Sequence, residues 1–154
     1  MLSAVLGLTL SACGTVDPGP QFQVAEVVFD QNFYYCKVEP MLLSKRCSAG
    51  DPSKGDSGCH GSVTIFRLQD PPPPPPTPLL TSDERCNGIT PKSGIPAYSQ
   101  ANWGTASIRM RTDPERAPLL LRPTNRSPHP REIFSDKSPE ANLIRQWATQ
   151  YSSR

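Results

Sequence analysis

Residues 33–61, FYYCKVEPMLLSKRCSAGDPSKGDSGCHG, hold three of the five cysteines and one of the two histidines in the chain. The first half has helical spacing: Tyr34, Val38 and Leu42 recur every fourth residue, and Phe33 and Met41 fall on a neighbouring line. Pro40 interrupts that pattern, because a proline inside a helix removes a donor and crowds the preceding turn. The spacing therefore predicts two short helical pieces hinged near Glu39-Pro40, the second delivering Cys47. Eleven residues then separate Cys47 from Cys59, all of them small or polar and three of them glycine, so they read as a turn-rich loop.

On its N-terminal side, residues 24–30 (VAEVVFD) form a short apolar run that suits a strand or a helix, with the start of the first helix favoured. Residues 13–23 (CGTVDPGPQFQ) have the glycine and proline content of a tether. Residues 1–12, MLSAVLGLTLSA, are apolar, end in small residues and precede Cys13. That run is shorter than the roughly 20 residues a membrane span requires. Leu10-Ser11-Ala12-Cys13 resembles a bacterial lipobox, which implies a lipoprotein signal peptide cut before Cys13 and an acyl chain on its thiol. A chain so anchored sits on a membrane surface and is not embedded in it.

On its C-terminal side, residues 63–68 (VTIFRL) alternate enough for a short strand, or form a linker that covers the core. Residues 71–78 (PPPPPPTP) form a polyproline II rod, read as a stiff surface insertion within a Pro-rich segment spanning 70–96. Thr81 and Glu84 are placed to cap a short helix leading to Cys86. Residues 98–110 are predicted helical with a break at Gly104. Residues 111–130 are loop, apart from the apolar Leu119-Leu120-Leu121. The clearest helix follows Ser138-Pro139-Glu140, an N-cap, a first-turn proline and an acidic first turn, with Leu143, Ile144 and Trp147 as its apolar stripe. One domain is expected, over residues 24–151.

With 154 residues, 19 prolines and 36% hydrophobic content, the chain has room for one small, loop-rich domain. A net charge of +2 without a basic stripe argues against a nucleic-acid partner. Five cysteines point to an oxidising compartment. Nucleophilic-hydrolase, P-loop and H-E-x-x-H motifs are absent, and the GDSG at 55–58 lacks the contexts that would make it a protease signature. No enzyme is indicated.

Cys59-His60 is the second half of the C-x-x-C-H haem attachment signal, in which two thiols bond the macrocycle and the adjacent histidine ligates iron. Here the first thiol, Cys47, is eleven residues away, a spacing that a flexible loop allows. From the residues alone, two disulfides among Cys36, Cys47, Cys59 and Cys86 are the competing arrangement, with three possible pairings. A zinc site from Cys47, Cys59, His60 and Cys86 has suitable ligand types but no common spacing.

Cys36-x-Val38-x-Pro40, then Cys47, then Cys59-His60-Gly61, is similar to the entrance of cytochrome c-like domains in bacterial envelope lipoproteins. Ala117-Pro118-Leu119-Leu120-Leu121-Arg122-Pro123, then His129, Phe134 and a last helix with Trp147, resembles the end of the same domains in the same order. The chain departs from them in the long Cys47–Cys59 loop and in Arg131-Glu132, where they tend to have glycines. The resemblance implies a mostly α, small helical domain with long Pro-rich loops, carrying one covalent haem c for electron transfer. Cys47 and Cys59 would be its thioether cysteines and His60 its proximal ligand. His129, or alternatively Met110, would be the distal ligand, and Cys36 and Cys86 would be left to pair. The implied setting is the bacterial cell envelope, lipid-anchored through Cys13 and facing the periplasm or the exterior, with a redox or envelope protein as partner. The alternative is a haem-free, disulfide-stapled envelope lipoprotein with a structural or interaction role.

Overall fold

In the computed structural model, residues 26–48, 60–61, 65–71 and 81–153 are described. The expected signal peptide and tether, Cys13, Cys59 and the polyproline rod lie outside them. Around the decisive stretch the chain is helical without a hinge: α1 (Gln31–Phe33), a π-helical turn (Tyr34–Val38) and α2 (Glu39–Ser44) follow one another. Asp30 caps the start, its carboxylate accepting from the Phe33 amide at 2.6 Å. The expected hinge at Pro40 is instead this π turn, a usual way to absorb an irregularity in a helix. The Glu39 amide donates back to the Tyr34 carbonyl and leaves the Tyr35 carbonyl to other donors.

Helix α2 ends in a Schellman arrangement. The Arg46 amide donates to Leu43 O at 2.9 Å, the Cys47 amide donates to Leu42 O at 3.2 Å, and Arg46 takes φ 54°. A left-handed residue costs roughly 1–2 kcal/mol outside glycine. Here it turns the chain so that Cys47 enters the core.

Residues 24–30 do not begin the first helix. Their described part forms β1 (Val27–Phe29), paired antiparallel with β4 (Tyr151–Ser153), with Phe29 opposite Tyr151. Two adjacent β-branched residues favour that extended form. Between the two strands, Trp147 donates its indole N–H to Asp30 O at 2.8 Å. Residues 65–68 are not a strand but an irregular segment over the core, with Leu68 buried in it, as the linker alternative has it.

Thr81 and Glu84 form the expected capping box over α3 (Ser82–Arg85). A two-residue ladder follows, β2 (Cys86–Asn87) with β3 (Thr90–Pro91), turning at Gly88 with φ 65°. Helix α4 (Ala97–Ser107) runs straight through Gly104, where the sequence predicts a break. One glycine costs about 1 kcal/mol of propensity, which the inward face of Ser99, Asn102 and Ala106 outweighs. A 3-10 turn (Pro114–Arg116) leads to α5 (Pro118–Leu121). Helix α6 (Pro139–Ala148) starts as expected, Ser138 Oγ accepting from the Ala141 amide at 3.2 Å.

The core gathers Phe29, Tyr34, Val38, Leu42, Leu120, Ile144 and Trp147 among others, with Tyr34 and Trp147 ring centres 4.9 Å apart. Each such buried side chain contributes roughly 1.5–3 kcal/mol. Of the described residues, 44% are helical and 10% are in strands, so the fold is mixed where the pattern predicts mostly α. The strands are two or three residues long, too short to show alternation in a sequence. Among the described residues, no helix is long and apolar enough to cross a membrane.

Candidate ligand site between two histidines

The chain leaves α2 through Cys47 and Ser48 and is described again at His60 and Gly61, and these two ends meet. A Cβ on Gly61 would lie 2.7 Å from the Ser48 carbonyl oxygen, so only glycine permits that approach. The His60 carbonyl then accepts from the Leu68 amide at 2.8 Å, fixing residues 65–68 alongside.

That segment is itself clamped from the interior. The Asn102 side chain accepts from the Gln69 amide at 2.6 Å and donates to the Gln69 carbonyl at 2.9 Å. The same Asn102 Nδ2 donates to Glu39 Oε1 at 2.7 Å. Glu39 Oε2 accepts from Ser99 Oγ at 2.7 Å and from Arg85 Nη1 at 2.7 Å. Arg85 also lies 5.0 Å from the Tyr35 ring centre and reaches the Tyr35 carbonyl that the π turn releases, at 3.4 Å. A buried carboxylate thus has three donors, which a charge removed from water requires.

His60 is half-buried against Phe66, ring centres 4.9 Å apart and nearly edge-to-face. Burial lowers its pKa below the usual histidine range; a hydrogen bond to the Phe66 backbone acts the other way, and His129 and Arg122 add to the lowering. That bond favours the protonated ring, so His60 donates to a carbonyl. His129 does likewise: its Nδ1 lies 2.6 Å from Arg131 O, and a carbonyl oxygen only accepts. In each neutral ring the second nitrogen then carries a lone pair.

Both rings line one cavity of about 410 Å³, their centres 6.2 Å apart and their planes 25° from parallel. Its other walls include Ile65, Phe66, Leu119 and Pro123, with Arg109 and Arg122 among them. The volume is within the roughly 300–1,000 Å³ of small-molecule and cofactor sites. Two imidazoles, each held by a backbone carbonyl, have the outer-shell support that metal-ligating histidines show.

The other expected site residues lie elsewhere. Met110 is buried in the core and is not on the cavity wall. Cys47 is buried in the same core cluster. Cys36 and Cys86 are bonded to each other, tying the segment around α3 to the π turn. Among the described residues, which exclude Cys59, no group of three or more His, Cys, Asp or Glu is placed to hold a metal ion. Sequence reasoning passed over Arg109, Phe66 and the Glu39–Arg85–Ser99–Asn102 cluster. Ser99, Asn102 and Ala106 do share a helix face, a pattern that could have marked a polar interior. No known protein family, curated protein or solved structure matches the chain.

Proposed function

We propose that the chain is a ligand-carrying redox domain and not an enzyme acting on an organic substrate. More particularly, it is a cytochrome c-like lipoprotein domain of the bacterial envelope that carries one covalent haem for electron transfer. The observation that carries this reading is the pairing of His60 and His129 across one cavity, each with a ring nitrogen tied to a backbone carbonyl.

The donor set suits the cofactor, two imidazoles on a largely apolar wall. His60 and His129 would supply the imidazole nitrogens that hold its iron, and Met110, buried in the core away from the cavity, would not. Phe66 and Leu119 would exclude water from the bound group. Cys47 and Cys59 would form the thioethers, which requires Cys47 to turn from its place in the core cluster toward the cavity. The meeting of Ser48 with Gly61 brings the ends of the 48–61 interval together. When bound, the haem supplies the one-electron chemistry. Cys13 would anchor the domain to the membrane surface, where an envelope redox protein is the partner.

A second reading keeps the same fold without iron. The Cys36–Cys86 bond favours it in so far as the domain already relies on a staple, and a Cys47–Cys59 bond would add another. The mass of the mature protein, made in a periplasm with haem-maturation machinery, separates the two. A one-haem increment that survives acid-acetone extraction, with a pyridine haemochrome spectrum, supports the cytochrome. A haem-free mass lacking the four protons of two disulfides removes it in favour of the stapled lipoprotein.

A further inference from the structure

Arg85, Arg126 and Arg145 are each paired with carboxylates, and Arg111 donates to backbone carbonyls. Among the described residues four arginine side chains have no hydrogen-bond or ion-pair partner, Arg67, Arg109, Arg116 and Arg122, and of these only Arg109 and Arg122 line the cavity. They flank one short helix. The Leu119 amide donates to Arg109 O at 3.2 Å, and Arg122 is the C-cap of α5. A helix rises 1.5 Å per residue, so their backbones stand about one turn apart on the same wall.

Two planar forks with five donors each, and no acceptor supplied by the fold, match a pair of carboxylates. The rest of the wall is apolar and aromatic, with imidazoles on it. We infer that the cavity takes a flat apolar molecule bearing carboxylates along one edge, and that Arg109 and Arg122 hold those carboxylates. This rests on the haem reading, since haem is such a molecule and its two propionates are the carboxylates in question. It assigns to these arginines the orientation of the ring, separately from the histidines and the thiols.

The test uses the full chain made without haem-maturation machinery, titrated with ferric protoporphyrin IX and with its dimethyl ester, followed by the Soret band. The wild type should bind the free acid at least roughly tenfold more tightly than the ester, as charge-assisted pairs predict. Arg109→Gln and Arg122→Gln should each reduce that preference, and the double variant should abolish it while still binding the ester. Arg122→Lys should retain part of it, charge without the fork. Arg122 is exposed, so its variant should keep the wild-type far-UV spectrum and melting temperature, which preserves the test should Arg109→Gln fold poorly. Equal binding of acid and ester by the wild type would overturn the carboxylate assignment and leave the haem reading intact. Binding of neither would remove both.

Discussion

Arg85 Nη1 and Glu39 Oε2 meet at 2.7 Å in the interior, each side chain about 1% exposed. The pair joins α3 to the first residue of α2, just after the π turn that carries Cys36 of the Cys36–Cys86 bond. Breaking a buried ion pair from one side strands the other charge and costs about 3–5 kcal/mol. Arg85→Leu should therefore lower unfolding free energy by that amount in urea titration, with the disulfide intact. A loss under 1 kcal/mol would mean that Ser99 and Asn102 suffice to hold the carboxylate.

Asn102 links that cluster to the cavity without lining it. It grips the Gln69 backbone, and the same segment presents the Phe66 carbonyl to the His60 ring. Asn102→Leu should free this segment, weaken the bond that raises the His60 pKa and lower that pKa further, as read by proton NMR. An unchanged His60 pKa would mean that Asn102 does not position this segment.

The Tyr34 hydroxyl is fully buried with no partner among the described residues, and burial holds its pKa well above 10. Removing an unsatisfied buried hydroxyl while keeping the ring is neutral or stabilising. Tyr34→Phe should raise stability by up to about 1 kcal/mol. Thermal melts of the two proteins decide it; a drop of several degrees would reveal a partner for the hydroxyl.

Acid should weaken the fold in two steps. The folded pKa of His60 is depressed by burial, so the unfolded chain takes up its proton first, and stability declines as pH falls below about 6.5. Glu140 is held at about 2, chiefly by its side-chain bond to Lys45, 2.6 Å away. Its contribution is complete above about 4.5 and is lost as pH falls toward 2. Both partners are partly exposed, so that step should be under about 1 kcal/mol. Denaturation midpoints across pH should show Lys45→Met erasing the lower step alone.

The sequence carried the features whose causes are local. Ser138-Pro139 and Thr81-x-x-Glu84 act within one turn, so their helix starts were legible from spacing. Gly104 was misread because propensity was weighed without the buried face on which α4 rests. The strand at Val27–Phe29 depends on a partner more than 120 residues later, and such pairing leaves little trace in three residues. His60 and His129 could be named as candidates, but their distance follows from the Asn102 clamp and the Arg131 turn. Arg109 looked like any surface charge, because an absent partner is visible only once its neighbours are placed.

Gly61 offers the sharpest test of how the site is assembled. Its approach to the Ser48 carbonyl leaves no room for a methyl group, since the atom 2.7 Å away is backbone and cannot swing aside. Gly61→Ala must separate the two ends, at a cost of roughly 1–3 kcal/mol as for other overpacked contacts. It should also move His60 away from Phe66, bringing the histidine pKa back toward 6.5 as burial is relieved. Gly94→Ala, where a Cβ meets nothing within 4 Å, is the control and should leave both stability and the His60 titration unchanged. A Gly61→Ala protein with wild-type stability would show that Ser48 and Gly61 do not meet, and the closing of the 48–61 interval would lose its support.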